Sequence, residues 1–185
     1  MDITDTRRMA VLAAVIAEEK KGRDIRIVNF EGVSDLYDYA VIISAISTRE
    51  TKAIAGEIDF VIKNFPSGRR IVQGMDNGCW VLLDYGGIVI HVFAENDRAS
   101  VVRGLRPRIA SESSNYREFY KLEELWNEMP VIDLENEESR EEMRTFYFDF
   151  LKNETAAKEA RELSNTGLSE LKDEDFEDGV LYDEE

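Results

Sequence analysis

The sequence predicts an α/β domain built on a mixed five-stranded sheet flanked by helices, followed by an acidic extension that is part helical and disordered at its end. Three observations carry this. Apolar residues at helical spacing alternate with short runs rich in β-branched residues as far as Phe93. A glycine pair, Gly86-Gly87, joins two of those runs as a hairpin would. The charge is split along the chain: residues 1–122 carry 17 Lys and Arg against 17 Asp and Glu, and residues 123–185 carry 6 against 22, so the net charge of −16 is a C-terminal property. Residues 1–130 therefore read as the domain and 131–185 as the extension.

Thr4 or Asp5 caps a first helix with Met9, Leu12, Val15 and Ile16 on one face, and Lys20-Lys21-Gly22 supplies a cationic last turn and a glycine stop. Residues 25–30 alternate as a strand. Tyr39 to Ile46 is apolar on both faces, which predicts a central strand with helices on each side. Ser47 and Glu50 form a capping box, and Ile54, Ile58, Val61, Ile62 and Phe65 mark one face of a helix that Pro66 and Gly68 end. A short strand over 70–73 leads into the hairpin 78–93, whose mixed company of strands and helices excludes an all-parallel sheet.

Residues 97–115 break the pattern with Arg98, Arg103, Arg106, Arg108, Pro107 and a polar run. They read as a solvated loop, with a contact to nucleic acid, to an acidic partner or to the chain's own tail left open. Helical spacing resumes over 116–126, placing Phe119, Leu122, Leu125 and Trp126 on one face, until Pro130. Residues 135–161 have helical bias with a stripe of Met143, Phe146, Tyr147, Phe150 and Leu151; Thr166-Gly167 is the expected break, and disorder is expected from Leu168 on.

Composition removes several functions. No apolar run approaches the roughly 20 residues of a membrane span, and the N-terminus suits neither a secretory signal nor a transit peptide, so a cytoplasmic protein is expected. One cysteine, Cys79, and one histidine, His91, rule out an intrachain disulfide and a multi-histidine metal site. With a neutral body, no specific nucleic-acid partner is expected. No phosphate-cradling glycine motif occurs, and neither Asp38 nor Asp84 has a second carboxylate two residues away on the same strand face, as a metal-dependent transferase would need. Neither a catalytic residue nor a cofactor is assigned. A two-residue turn also pairs residues whose numbers sum to 171 or 173, which sends Cys79 and His91 to opposite faces and dismisses a Cys-His dyad.

That register puts Trp80, Leu82 and Asp84 on one face with Val89 and His91. An aromatic anchor among polar groups suits a protein-binding patch, and an inner sheet face with a buried histidine suits it equally.

The segments Gly22-Arg23-Asp24-Ile25, Tyr39 to Glu50, the hairpin Gly78 to Phe93 and Phe119-Tyr120-Lys121-Leu122-Glu123-Glu124-Leu125-Trp126, in this order, resemble the ribosomal silencing factor family, also called RsfS or Iojap, over residues 4–127. The resemblance implies a nucleotidyltransferase-like sheet without catalysis. It also implies binding to protein uL fourteen of the large ribosomal subunit, which blocks joining of the small subunit and lowers translation. Trp80, Leu82, Asp84, Tyr85, Gly86 and His91 become candidate partner-binding residues or supports, and Leu122, Leu125 and Trp126 a supporting helix. A homodimer stays open. The alternative is a Mg²⁺-dependent nucleotidyltransferase-like enzyme using Asp35, Asp38 and a distant third carboxylate. Against the family pattern, Gln73, Met75 and Gly87 stand where acidic residues are common, which would weaken steering toward a basic partner. Residues 97–115 look inserted, and nothing in the family corresponds to the extension.

Overall fold

The structure, a computed structural model, describes residues 5–65, 69–95, 117 and 121–173, with side chains as far as 162. Its helices and strands run α1 (Thr6–Glu19), β1 (Arg23–Asn29), β2 (Tyr39–Ala45), α2 (Thr48–Ile62), β3 (Ile71–Gln73), β4 (Trp80–Asp84), β5 (Ile88–Ala94), α3 (Leu122–Leu125), β6 (Val131–Ile132) and α4 (Arg140–Asp173), with a 3-10 turn at Leu134–Asn136 before α4. The sheet order is β3-β4-β5-β2-β1-β6. Only β2 and β5 pair in parallel; the other neighbours are antiparallel. The mixed, helix-flanked sheet is thus present, but with six strands rather than five. β6 has two residues, too few for a periodic signal, and is recruited because the Asn29 N–H donates to the Pro130 carbonyl (2.8 Å), extending the β1 ladder past the proline.

Every residue of β2 is buried, as a central strand requires. Helices α1 and α2 pack on one of its faces. Alternation assigns Val41 and Ile43 to the side of α1 and α2, while Ala40 and Ile42 join Val28, Phe30 and Phe93 in a second core layer. That layer is roofed by Tyr37 from the loop before β2 and by Leu122, Trp126 and Met129 from α3 and the turn that follows it.

α1 is buried on all sides from Met9 to Ala17 instead of being one-faced. Ala10, Ala13, Ala14 and Ala17 sit where a solvent-facing helix would carry polar groups, and their small side chains permit close approach from more than one direction. The Asp5 carboxylate caps α1 by accepting from the Arg7 N–H. At the other end Lys21, not Gly22, takes the left-handed conformation (φ 67°), with Lys21 N–H on Glu18 O and Gly22 N–H on Ala17 O in a Schellman arrangement. Gly22 is needed for room: a Cβ there would lie 2.9 Å from Ala17 O.

The predicted capping box of α2 is present in a modified form. Ser47 Oγ accepts from Glu50 N–H (3.3 Å), and Glu50 Oε2 accepts from Ile46 N–H (2.8 Å) rather than from Ser47. The expected stop at Pro66 and Gly68 lies outside the described residues, as do residues 97–115 with their arginines, Phe119, and the chain after 173.

The chain forms two compact units, Met1–Tyr147 and Phe148–Glu185. The boundary read near 130 falls inside the first, because the start of α4 is part of it: Met143 and Tyr147 are buried, Tyr147 donates to Glu57 (2.8 Å), and Arg140 and Arg144 pair with Glu18 and Glu19. In the second unit α4 continues through Gly167 to Asp173, past the expected break. One helical glycine costs only about 1 kcal/mol, which strong helix formers on either side offset.

Candidate partner-binding face

β4 and β5 pair as Trp80↔Phe93, Leu82↔His91 and Asp84↔Val89, the register summing to 173. Trp80, Leu82, Asp84, Val89, His91 and Phe93 therefore share the face away from α1 and α2. Cys79 is buried on the other, so thiol and imidazole do not meet. The turn rests on Gly86 at φ 82°, with Gly87 N–H donating to Tyr85 O (3.2 Å) and Gly86 N–H to Asp84 Oδ1 (2.9 Å). Asp84 Oδ2 pairs with Arg69 (2.9 Å), so this carboxylate braces the turn and is neutralised where it stands. Gly87 has a steric reason for lacking a side chain: a Cβ would sit 2.3 Å from Thr6 Cγ2.

His91 is 7% exposed and lies among rings. Its ring centroid is 5.7 Å from Trp80, 6.1 Å from Phe93 and 5.9 Å from Trp126. Burial lowers its pKa to about 4, so the imidazole is neutral. Trp80 Nε1–H donates to His91 Nδ1 (3.2 Å), which puts the remaining ring proton on Nε2. The histidine thus acts from beneath, fixing the indole, which is also stacked on Phe93 at 5.3 Å. Trp126, edge-on to Phe30 at 5.3 Å, covers the middle of this face. Trp80, Leu82, Asp84, Gly86 and Val89 remain half-exposed along its outer wing.

Tyr85 lies on the opposite side, buried. Its hydroxyl donates to Asp59 Oδ1 (3.0 Å), and Arg70 grips both oxygens of the same carboxylate at 2.7 and 2.6 Å. Burial, then the Asp59 charge, raises the Tyr85 pKa. For Asp59, burial pushes upward, but the hydrogen bonds from Arg70 and Tyr85 outweigh it and hold the carboxyl below its ordinary value. Tyr85 is accordingly a clamp between the hairpin and α2, not a surface residue. Its position after a strand residue on the exposed face required this alternation.

α3 begins after an interruption within the expected helix over 116–126. Lys121 adopts φ 46° and breaks the expected helix before α3, which is one turn long, so Leu122 and Trp126, four apart, face the sheet and Leu125 turns outward, 72% exposed. Leu125 does not support the roof. Arg117 does, and nothing in the sequence singled it out: it is buried, donates to Ser44 Oγ (2.5 Å) and Asp24 O (3.1 Å), and pairs with Asp24 and Glu123.

Asp35 is exposed and Asp38 half-buried. No three His, Cys, Asp or Glu side chains converge as metal ligands among the described residues, and no helix among them is long and apolar enough to cross a membrane. The arrangement offers a rigid aromatic and aliphatic ledge suited to holding another surface.

Residues 3–101 match the family model described as ribosomal silencing factor during starvation. The chain is 30% identical to ribosomal silencing factor RsfS of Bacillus subtilis over 124 residues, 67% of this chain and 89% of the relative. It is 27% identical to chloroplastic protein Iojap of Zea mays over 135 residues, 72% of this chain and 50% of the relative. A crystal structure of a protein from Chromobacterium violaceum aligns with a TM-score of 0.49 at 25% identity, covering 69% of this chain and 88% of that one.

Proposed function

The chain belongs to the ribosomal silencing factor family, and from that premise we propose that it represses translation by binding protein uL fourteen of the large ribosomal subunit and sterically blocking the small subunit. The observation that supports this reading is the half-exposed wing of Trp80, Leu82 and Val89 beside the turn at Gly86. Trp80 is held on three counts, by His91, by Phe93 and by its place in β4, so little side-chain entropy is lost when a partner covers it. Asp84 is already paired with Arg69, so contacts at this wing are chiefly apolar. Blocking needs no chemistry: a folded domain seated on the subunit interface excludes a second body from the same volume. In this reading the unit Met1–Tyr147 does the silencing, and the remainder of the chain is an addition to it.

The test is cosedimentation with purified large subunits, followed by subunit joining in a gradient. The full chain is expected to pellet with large subunits and to reduce joined ribosomes. Leu82→Arg, whose fold is checked by circular dichroism, is expected to do neither. A folded Leu82→Arg chain that binds as well as wild type refutes the wing as the contact.

A further inference from the structure

α1 carries its terminal charges against its own dipole. Arg7 and Arg8 stand in its first turn and Glu18 and Glu19 in its last, the reverse of what the ends of a helix favour. Residues 137–144 supply the matching charges. Glu137 and Glu142 pair with Arg7 (2.8 Å) and Arg8 (3.3 Å), and Arg140 and Arg144 pair with Glu18 (3.2 Å) and Glu19 (2.9 Å). Beside these pairs Met143 and Tyr147 are buried, Phe146 lies 5.6 Å from Phe65, and the Tyr147 hydroxyl donates to Glu57 (2.8 Å). Apolar groups bordered by paired charges are the anatomy of an interface, here between two parts of one chain.

The roof of the partner-binding face lies just before this segment in sequence. Leu122, Trp126 and Met129 pack on the second core layer, and Trp126 covers His91. α3 itself is four residues long, too short to be stable alone. On its C-terminal side the roof is tethered by Pro130 O, which accepts from Asn29 N–H, and by β6, whose two residues pair with Ile27 and Val28 at the edge of the sheet. A two-residue edge strand holds little by itself. Fastening the chain again at 137–147 keeps β6 at high effective concentration beside β1.

We propose that residues 131–147 form a clasp: fastened on α1 and α2 behind the sheet, it passes round the β1 edge and holds the roof of Leu122, Trp126 and Met129 over the partner-binding face in front. Arg140, Met143 and Arg144 are then positioning residues for recognition, although they pack on the helix side of the sheet. Releasing the clasp loosens Trp126, opens His91 to water and frees the Trp80 indole that the imidazole fixes. What this says of binding rests on the ribosomal reading above; the coupling across the sheet does not.

Two readouts separate the fastening from the roof. Exchange of the Met143 amide, which donates to Ser139 O (2.9 Å), reports the fastening. The titration of His91 reports the roof, since the residues facing it, Trp80 and Leu82 on β4, Ile42 on β2, Phe93 on β5 and Trp126, are all uncharged. A solvated imidazole binds protons far more tightly, so a roof open in about one molecule in ten already moves the midpoint from about 4 to about 5.5.

Arg140→Glu/Arg144→Glu sets like charges against Glu18 and Glu19. It is expected to speed Met143 exchange about tenfold and to raise the His91 midpoint, and adding Glu18→Arg/Glu19→Arg is expected to restore both. Ser47→Ala, which removes the α2 cap, is expected to lower the melting temperature with the His91 midpoint unmoved. Adding Met143→Asp to the reversed pair is expected to open the roof in most molecules and to weaken cosedimentation with large subunits about tenfold or more. Faster Met143 exchange with an unmoved His91 midpoint overturns the clasp, as does a reversed pair that exchanges like wild type or a Ser47→Ala chain whose midpoint rises as far. A triple variant whose midpoint nears the ordinary 6.5 and that still binds subunits like wild type overturns the positioning role in recognition. If wild type does not bind large subunits, the ribosomal reading fails, and exchange and titration still decide the clasp.

Discussion

Because the chain has one histidine, its burial can be tested without ambiguity. The imidazole has an ordinary pKa of 6.5 and about 4 in the folded protein, with burial as the cause; its ring neighbours Trp80, Phe93 and Trp126 carry no charge. The unfolded chain therefore binds the proton more readily, and the stability due to a neutral His91 is complete above pH 6.5 and lost as pH falls toward 4. From about pH 7.5 to about pH 5 the loss is about 2 kcal/mol, a window in which carboxylates contribute little because most remain ionised. Urea unfolding of wild type and His91→Gln at both pH values measures this. The glutamine can still accept the Trp80 N–H, so the variant keeps the bond while removing the titration. Wild type is expected to lose about 2 kcal/mol more than the variant across the window, and its histidine proton resonance is expected to titrate near 4. A resonance titrating near 6.5, or equal losses for both chains, refutes the burial of His91 and with it the fixing of Trp80.

Three further outcomes follow from particular contacts. Gly87→Ala places a methyl against Thr6 and is expected to lower stability by about 1–3 kcal/mol, with much of the loss recovered in Thr6→Gly/Gly87→Ala; thermal melting of the four chains checks the coupling. Tyr85→Phe removes one hydrogen bond to an ionised carboxylate and is expected to cost about 1–2 kcal/mol in urea unfolding, with large-subunit binding unchanged because the side chain faces α2. Met143→Ala is expected to destabilise the main unit by about 2–4 kcal/mol in a single urea transition, and a change below about 0.5 kcal/mol refutes the packing of residues 131–147 onto it.

What the sequence made legible was what repeats. The apolar spacing of α2, the unbroken run of β2 and the Gly86-Gly87 turn each signal through several residues, and turn length alone divided the hairpin's faces, leaving two registers of which the structure has the one summing to 173. What escaped it depended on single residues and distant partners. α1 looked one-faced because alanine reads as neutral in a periodic pattern, yet four alanines let it be enclosed. β6 is two residues long and exists because β1 has a free edge. Arg117 carries no periodic signal, and only the fold brings it to Ser44 and Asp24. The same limit applied to the site. Periodicity grouped Trp80 with His91 correctly but could not say which would be covered, since that depends on Trp126, 35 positions beyond His91.

The hairpin's alternation bears on how the site can change without loss of the fold. Odd positions Val81, Leu83 and Tyr85 enter the core against α1 and α2, while even positions Trp80, Leu82 and Asp84 form the outer wing. The partition is not clean, because two even residues also carry structure: Trp80 is bonded to His91, and Asp84 holds the turn. Leu82 and Val89 are partly covered wing residues whose side chains make no such bond. Altering Leu82 or Val89 leaves the Trp80–His91 bond and the Asp84-braced turn in place, whereas altering Trp80 changes recognition and rigidity together. A loss of binding in a Trp80 variant is therefore ambiguous between the two, and a loss in a Leu82→Arg chain shown to be folded is not.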